Sequence, residues 1–373
     1  MVLSGTNATV SENGTTSTFT VRLNSAPTAN VTLSLSDNDT TEVLASPTTL
    51  TFSSGNWATS RVITLTGVDD NVSDGSQSTL LTLTPSSSGD SKYNSSSLAQ
   101  SLTTVTTDND TVGLVLSKTT ATHSESGTID KISDVLRSEP TANVTMTLSD
   151  NDSTEVSATP STLSFGSGNW SVAQWVTLTG VDDNVSDDNV TSTITVAINQ
   201  SNTADTKYDA LSSQSVTVST TDDDTAAFTV SESGGSSVVA ESGSTDAIVV
   251  TLSSEPTGSV VLSLTNSDNE TSLSASTLTF TPSNWNSAQD VTITGVDDNI
   301  DDDNVTSTIT VAINQSSTAD TKYDALDNKS VSVTTTDNDS VPTLTLAASS
   351  SNLAESGGTV TLTVMMSAAA TAD

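Results

Sequence analysis

The stretch Thr66-Gly67-Val68-Asp69-Asp70-Asn71-Val72-Ser73-Asp74 returns as Thr179-Gly180-Val181-Asp182-Asp183-Asn184-Val185-Ser186-Asp187. It returns again as Thr294-Gly295-Val296-Asp297-Asp298-Asn299-Ile300-Asp301-Asp302. The central valines lie 113 and then 115 residues apart, a period long enough for whole domains in tandem. Each copy joins an apolar strand end to a carboxylate-rich turn. It therefore carries a fold signal and a chemical signal together.

Working outward from the first copy, apolar residues recur at every second position. Phe19, Val21 and Leu23 form one such run, and Val31, Leu33 and Leu35 the next. Leu50 with Phe52, Ile63 with Leu65, and Leu81 with Leu83 continue it, and a Ser/Thr-rich run extends to about Thr107. Thr, Val, Ile and Leu at alternate positions, separated by Asn, Asp, Gly, Pro and Ser, predict half-buried antiparallel strands. No segment keeps a helical period. About seven short strands per repeat predict an all-β chain of tandem immunoglobulin-like sandwiches.

Other landmarks recur in the same order. Asn56-Trp57, Asn169-Trp170 and Asn284-Trp285 precede the strand that feeds the acidic turn. Lys92-Tyr93, Lys207-Tyr208 and Lys322-Tyr323 precede the last strand. Thr107-Asp108-Asn109-Asp110, Thr221-Asp222-Asp223-Asp224 and Thr336-Asp337-Asn338-Asp339 close the repeats. The expected domains are 1–111, 112–225 and 226–340, followed by 341–373 as the start of a fourth repeat. Two strands cannot close a sandwich, so this last segment is expected to be poorly ordered. Asn189–Leu211 and Asn304–Leu326 differ only at Asn202 against Ser317, which marks a duplicated architectural unit.

The 373 residues include 45 Asp+Glu against 9 Lys+Arg, a formal charge of −36. No basic surface exists to neutralise phosphates, which excludes nucleic acid as a partner. No apolar run approaches transmembrane length, so direct membrane insertion is not expected. Cysteine is absent, and a chain stapled by metal needs no disulfides. The sequence reads as an excerpt of a longer secreted protein whose signal and anchor lie elsewhere.

Hard divalent cations, calcium above all, take six to eight oxygen ligands in flexible geometry. The first repeat offers Glu12, Glu42, Asp69, Asp70, Asp74, Asp108 and Asp110. In a sandwich, the opening loop, the inter-strand turns and the exit of the last strand can converge at one pole. Carboxylates gathered there would repel one another severely without cations. The bland alternative is a set of solvated Asp/Asn turns.

Glu after the first strand, Thr-Leu-Thr-Phe, Val-Asp-Asp-Asn-Val-Ser-Asp and a terminal Asp-Asn-Asp together resemble the Calx-beta domain. That domain serves as the calcium sensor of sodium–calcium exchangers and as tandem repeats in bacterial surface adhesins. The resemblance covers all three repeats and the start of the fourth, and implies calcium as cofactor. It implies as ligands the opening acids Glu12, Glu125 and Glu241. It also implies an acid eight residues before the Leu of the Thr-Leu-Thr-Phe strand, which falls on Glu42, Glu155 and Glu270, where the family more often has Asp. From the central turn it implies Asp69, Asp70, the Val72 carbonyl and Asp74; then Asp182, Asp183, Val185 and Asp187; then Asp297, Asp298, Ile300 and Asp302. The closing cluster carries over as Asp108 and Asp110, as Asp222, Asp223 and Asp224, and as Asp337 and Asp339. The exchangers' longer acidic run is replaced here by Gly75-Ser76, or by Asn189 and Asn304. Fewer carboxylates imply fewer or weaker ions, suited to a structural module at extracellular calcium.

Other chemistries find little footing. His123 is the only histidine and is expected at the surface; no Gly-x-Ser-x-Gly elbow exists, and no catalytic role is expected. Trp57, Trp170 and Trp285 are expected to pack rather than stack on sugar. The expected role is a calcium-rigidified stalk in an extracellular or cell-surface adhesin or filament, whose partners are neighbouring repeats of its own chain. The alternatives are a calcium-dependent carbohydrate-binding module, and a surface-layer or filament subunit that self-associates.

Overall fold

Strict alternation with few helix formers makes strands, and the computed structural model, which describes residues 1–235 and 237–366, is built almost wholly of them. The first sandwich contains β1 (Val2–Leu3), β2 (Asn7–Ser11), β3 (Thr16–Arg22), β4 (Val31–Asp37) and β5 (Val43–Ser46). It continues with β6 (Thr49–Phe52), β7 (Arg61–Gly67), β8 (Gln77–Ser88) and β9 (Gln100–Thr107). One sheet runs β1-β3-β7-β5 and the other β2-β9-β8-β4-β6. The same two-sheet order recurs between Leu114 and Thr221 and between Phe228 and Thr336. Tandem immunoglobulin-like β-sandwiches are thus the fold.

Each sandwich has nine strands rather than about seven. The opening run divides: β1 pairs antiparallel with β3 in one sheet, whereas β2 pairs parallel with β9 in the other. Segments this short carry too few alternations to announce themselves in sequence. The period-two positions do form the core. Val21, Leu23, Val31, Leu33, Phe52, Ile63 and Leu65 are buried together, and equivalent clusters fill the other two sandwiches.

The recurring landmarks prove to be packing devices. Trp57, Trp170 and Trp285 are half-buried against their cores. The neighbouring Asn56, Asn169 and Asn284 side chains accept N–H bonds at 2.6–2.7 Å that fold the turn. Tyr93, Tyr208 and Tyr323 are buried, and their hydroxyls donate to the Ser25, Ser138 and Ser254 carbonyls at 2.7–2.9 Å.

One buried polar residue departs from expectation, and a second interrupts a core face. His123 is not at the surface but inside, 3.1 Å from the Thr220 hydroxyl. It lies in a strand, Thr120–Ser124, on the inward face shared by Ala121; the Ser/Thr-rich sequence around it hides that strand. Asp134 is 2 % exposed in the strand Ile129–Leu136, paired with Leu116. The corresponding partners of Leu3 and Val230 are the core residues Val21 and Val250.

Two compact units group Met1–Val181 with Thr191–Thr220, and Asp182–Val190 with Thr221–Asp373. In the second, Leu344–Ala348 and Leu362–Met366 form a two-stranded antiparallel ribbon whose residues are all exposed. The expectation of poor order for 341–373 falls partly on 367–373, outside the described residues. Among the described residues no helix is long and apolar enough to cross a membrane.

Candidate metal centre

The pole of the first sandwich is assembled where β2 and β7 end side by side. A Cβ on Gly67 would sit 2.1 Å from the Ser11 carbonyl oxygen, so only glycine lets the two backbones approach. Gly180 against Ser124 and Gly295 against Ala240 repeat this at 2.1 Å. That close approach sets Glu12, the residue after β2, beside the Val68-Asp69-Asp70 turn. Gly67→Ala must push backbone away from backbone, and overpacking of this kind costs about 1–3 kcal/mol or more. Thermal melts of this variant should show one destabilised transition, and an unchanged melt would contradict the packing account.

Four chain segments then converge. Glu12, Glu42 and Asp70 bring carboxylate oxygens within 4.8 Å of one another, and so do Glu12, Asp108 and Asp110. Glu12 belongs to both groups. Glu12 and Glu42 are buried, and one carboxylate oxygen of each has no hydrogen-bond partner. Asp74 Oδ1 and Asp110 Oδ2 are likewise buried and unpartnered. Asp69 lies exposed at the rim, accepting from the Asn109 side chain at 3.2 Å. Asp70 accepts the Val72 N–H at 2.7 Å, which shapes the turn.

The third sandwich repeats the arrangement inside the second compact unit. Glu241, Glu270 and Asp302 present oxygens within 4.8 Å of one another. Asp297 accepts from the Asn338 side chain at 3.0 Å, and Ile300 N–H donates to Asp298 at 2.7 Å. Asp339 Oδ2 and Glu241 Oε1 are buried without partners. Glu125 and Glu155 are buried in the first unit. Asp182, Asp183, Asp187, Asp222, Asp223 and Asp224 lie in the second, where Asp183 accepts the Val185 N–H at 2.7 Å.

The electrostatics are those of crowded, desolvated anions. Burial pushes the Glu12 carboxyl up to about 7, with the Asp108, Asp70 and Glu42 charges adding to the rise. Burial, then repulsion from neighbouring carboxylates, also raises Glu42, Asp110, Glu241, Glu270 and Asp339. Asp187 and Asp224 are raised for the same reasons. Buried carboxylate oxygens with no donor are costly and ask for a cation. The donor set is all oxygen, with no thiol and no imidazole, which suits a hard cation such as calcium rather than zinc or copper. Solvated turns would leave these carboxyls wet, and Glu12 is 1 % exposed.

Sequence reasoning missed a second task of the closing aspartates. Asp108 accepts the N–H of Asp110 at 2.7 Å and that of Gly75 at 2.6 Å, so it clamps the exit of β9 to the central turn. Asp222 does this with Asp224 and Asp188, and Asp337 with Asp339 and Asp303. Those amides hold the Asp337 carboxyl below its ordinary value. The clamped position is left-handed, with φ of 81° at Gly75, 69° at Asp188 and 64° at Asp303. Glycine at 75 was the available signal, since only such a turn requires it.

No protein-family model matches the chain, and no curated protein matches it. Among solved structures, the calcium binding domain CBD12 of CALX1.1 aligns over 51 % of this chain and 77 % of its own, with 16 % identity and TM-score 0.27. A three-immunoglobulin-domain stretch of titin aligns over 89 % and 95 %, with 9 % identity and TM-score 0.26. Domains 4–9 of the surface layer protein SbsC align over 89 % and 44 %, with 11 % identity and TM-score 0.25.

Proposed function

We propose that the chain is a calcium-stiffened spacer, a stalk of tandem sandwiches in an extracellular or cell-surface adhesin or filament. The observation that carries this reading is the pair of buried, partly unpartnered glutamates, Glu12 and Glu42, set among Asp70, Asp74, Asp108 and Asp110. Bound calcium would neutralise this charge. Glu12, Glu42, Asp70 and Asp74 would hold it together with Asp108 and Asp110, and Asp69 and the Val72 carbonyl complete the proposed set. The corresponding residues serve in the third repeat, where Glu241, Glu270 and Asp302 lie within one compact unit. The protein's own contribution is positional: Gly67 allows the approach of two strands, Asp108 clamps two loops, and burial keeps water from screening the cluster. Cross-linking four segments of one pole makes each sandwich resist deformation.

A carbohydrate-binding reading has less support. The three repeated tryptophans pack against cores, and the exposed Trp175 is matched by Val62 and Asp290 in the other sandwiches. Calorimetric titration of calcium into the whole chain tests the proposal. Saturable uptake is expected, with fewer ions bound by Glu12→Gln. No uptake at millimolar calcium would end the metal reading.

A further inference from the structure

The central turn of the first repeat faces two ways. Its Asp70 and Asp74 carboxylates belong to the acidic cluster around Glu12 and Glu42. Its intervening carbonyls are engaged by the next sandwich of the same compact unit: Glu139 N–H donates to Asn71 at 2.6 Å, and the Lys207 ammonium donates to Ser73. Both donors are mounted on one rigid bracket. Tyr208, fully buried, ties down Ser138, the residue before Glu139, through a donated bond of 2.7 Å and an accepted one of 3.1 Å. Asp205, also buried, accepts the Thr141 N–H at 2.8 Å and caps the helical turn Thr206–Asp209 that carries Lys207.

A related arrangement, with the lysine on a side-chain carboxylate instead of a carbonyl, occurs within the other compact unit. Glu255 N–H donates to Asn184 at 2.6 Å, and Lys322 pairs with Asp188 at 2.5 Å. The bracket behind them is Tyr323 on Ser254 and Asp320 on Thr257. The first sandwich carries the same bracket, Tyr93 on Ser25 and Asp90 on Thr28, with Ala26 where the others have glutamate. The glutamate side chain is therefore dispensable to the bracket; the peptide N–H and the lysine are what it presents.

We propose that this bracket is a latch through which each repeat reads the metal-binding turn of the repeat before it. The proposal rests on the calcium reading given above. Cation binding by Asp70 and Asp74 fixes the turn, which holds the Asn71 and Ser73 carbonyls in the register that Glu139 N–H and Lys207 accept. Metal occupancy of one repeat thereby stiffens its junction with the next, and by linkage the latched junction favours the metal-bound turn by the same factor. Lys207 acts as a positioning residue, since it touches the Ser73 carbonyl and not the carboxylates at 70 and 74; Lys322 touches Asp188, and its charge also reaches the neighbouring Asp187.

The absence of cysteine permits a direct test. Spin labels at Ser101→Cys and Ser213→Cys, both exposed, report the distance distribution between the first two sandwiches in the whole chain. In otherwise unaltered protein, millimolar calcium should narrow that distribution at least twofold. With Lys207→Met and Glu139→Pro together, which remove the ammonium and the N–H, calorimetry should still show calcium uptake but the narrowing should be lost. Glu139→Ala keeps the N–H and should behave as the unaltered chain. Lys207→Met alone, a surface change, serves if the proline variant fails to fold, and should lose part of the narrowing. Equal narrowing in latched and unlatched chains, with calcium bound, overturns the latch alone. Absence of calcium uptake by the unaltered chain overturns the metal reading, and the latch with it.

Discussion

Asp134→Val should raise the stability of the second sandwich by about 4 kcal/mol above neutral pH, a shift in its melting temperature on the order of 10–20 °C. Asp134 lies in the core at 2 % exposure, where the other sandwiches carry Val21 and Val250. Neither of its carboxylate oxygens has a hydrogen-bond partner. Burial pushes its carboxyl up to about 7, offset only in part by the nearby N–H groups of Val135 and Val115. Its neighbours in register, Leu116 and Gln174, bring no charge. A rise of about three pH units at 1.36 kcal/mol each gives the figure above, as an upper estimate. Valine is the residue buried at the equivalent positions 21 and 250, so this site of the fold accommodates it without a large cavity or overpacking cost.

The pH dependence follows from the same shift. The unfolded chain releases the Asp134 proton near 3.8, while the folded chain keeps it to about 7. Between these values folding must take up a proton, so this contribution is fully favourable below 3.8 and is lost as pH rises through about 7. Melting followed at a set of pH values should show the second sandwich weakening toward neutrality in the unaltered chain. In Asp134→Val that slope should become shallower, the remainder belonging to Asp187 and Asp224, whose carboxyls are also raised. A slope left undiminished by the substitution would place the titrating group elsewhere.

Asp134 also marks where sequence reading stops. The core strands were legible because Phe19, Val21 and Leu23, or Ile63 and Leu65, alternate without interruption, and burial enforces a period of two. Asp134 breaks that pattern in Ile129–Leu136 and, like Asp130 in the same strand, reads as exposed; only the neighbouring strands show that it faces inward. His123 failed for a related reason, since Ser and Thr around it suggest a loop, while its strand is held by pairing across the sheet rather than by propensity. The acidic pole was partly legible: the recurrence of Asp69-Asp70 with Asp108 and Asp110 named the segments that the fold brings together. Glu42 stood among the acids the first repeat offers, but its particular place as a ligand came from the resemblance. The clamp from Asp108 to Gly75 and the latch from Lys207 to Ser73 could not be read, because each joins residues 33 and 134 positions apart.

Removing calcium should have the largest effect of all, because it acts on every repeat at once. Extracellular modules hold calcium with dissociation constants of about 10⁻⁴–10⁻³ M, and a ligand at a hundred times its dissociation constant adds about 2.7 kcal/mol per site. In the first sandwich Glu12 belongs to two groups of carboxylates; one ion there would contribute about 2.7 kcal/mol, and an ion in each about 5 kcal/mol. Domain stabilities are roughly 5–15 kcal/mol, so chelation should cost a large share of the total. It should also uncover the mutual repulsion of Glu12, Glu42, Asp70, Asp74 and Asp108, which contact with solvent cannot relieve while the two glutamates stay buried. Monovalent salt should restore little, since screening acts weakly on buried charge. Melting with and without chelator, beside small-angle scattering of the same samples, is the measurement. Calcium-loaded chain should melt higher and scatter as the stiffer particle. Asp183→Ala should weaken only the repeat whose central turn it occupies, leaving the other transitions in place. Identical melting and scattering in the two states would mean that the carboxylates stabilise the pole by hydrogen bonding alone, as Asp108 does with the amides of Gly75 and Asp110.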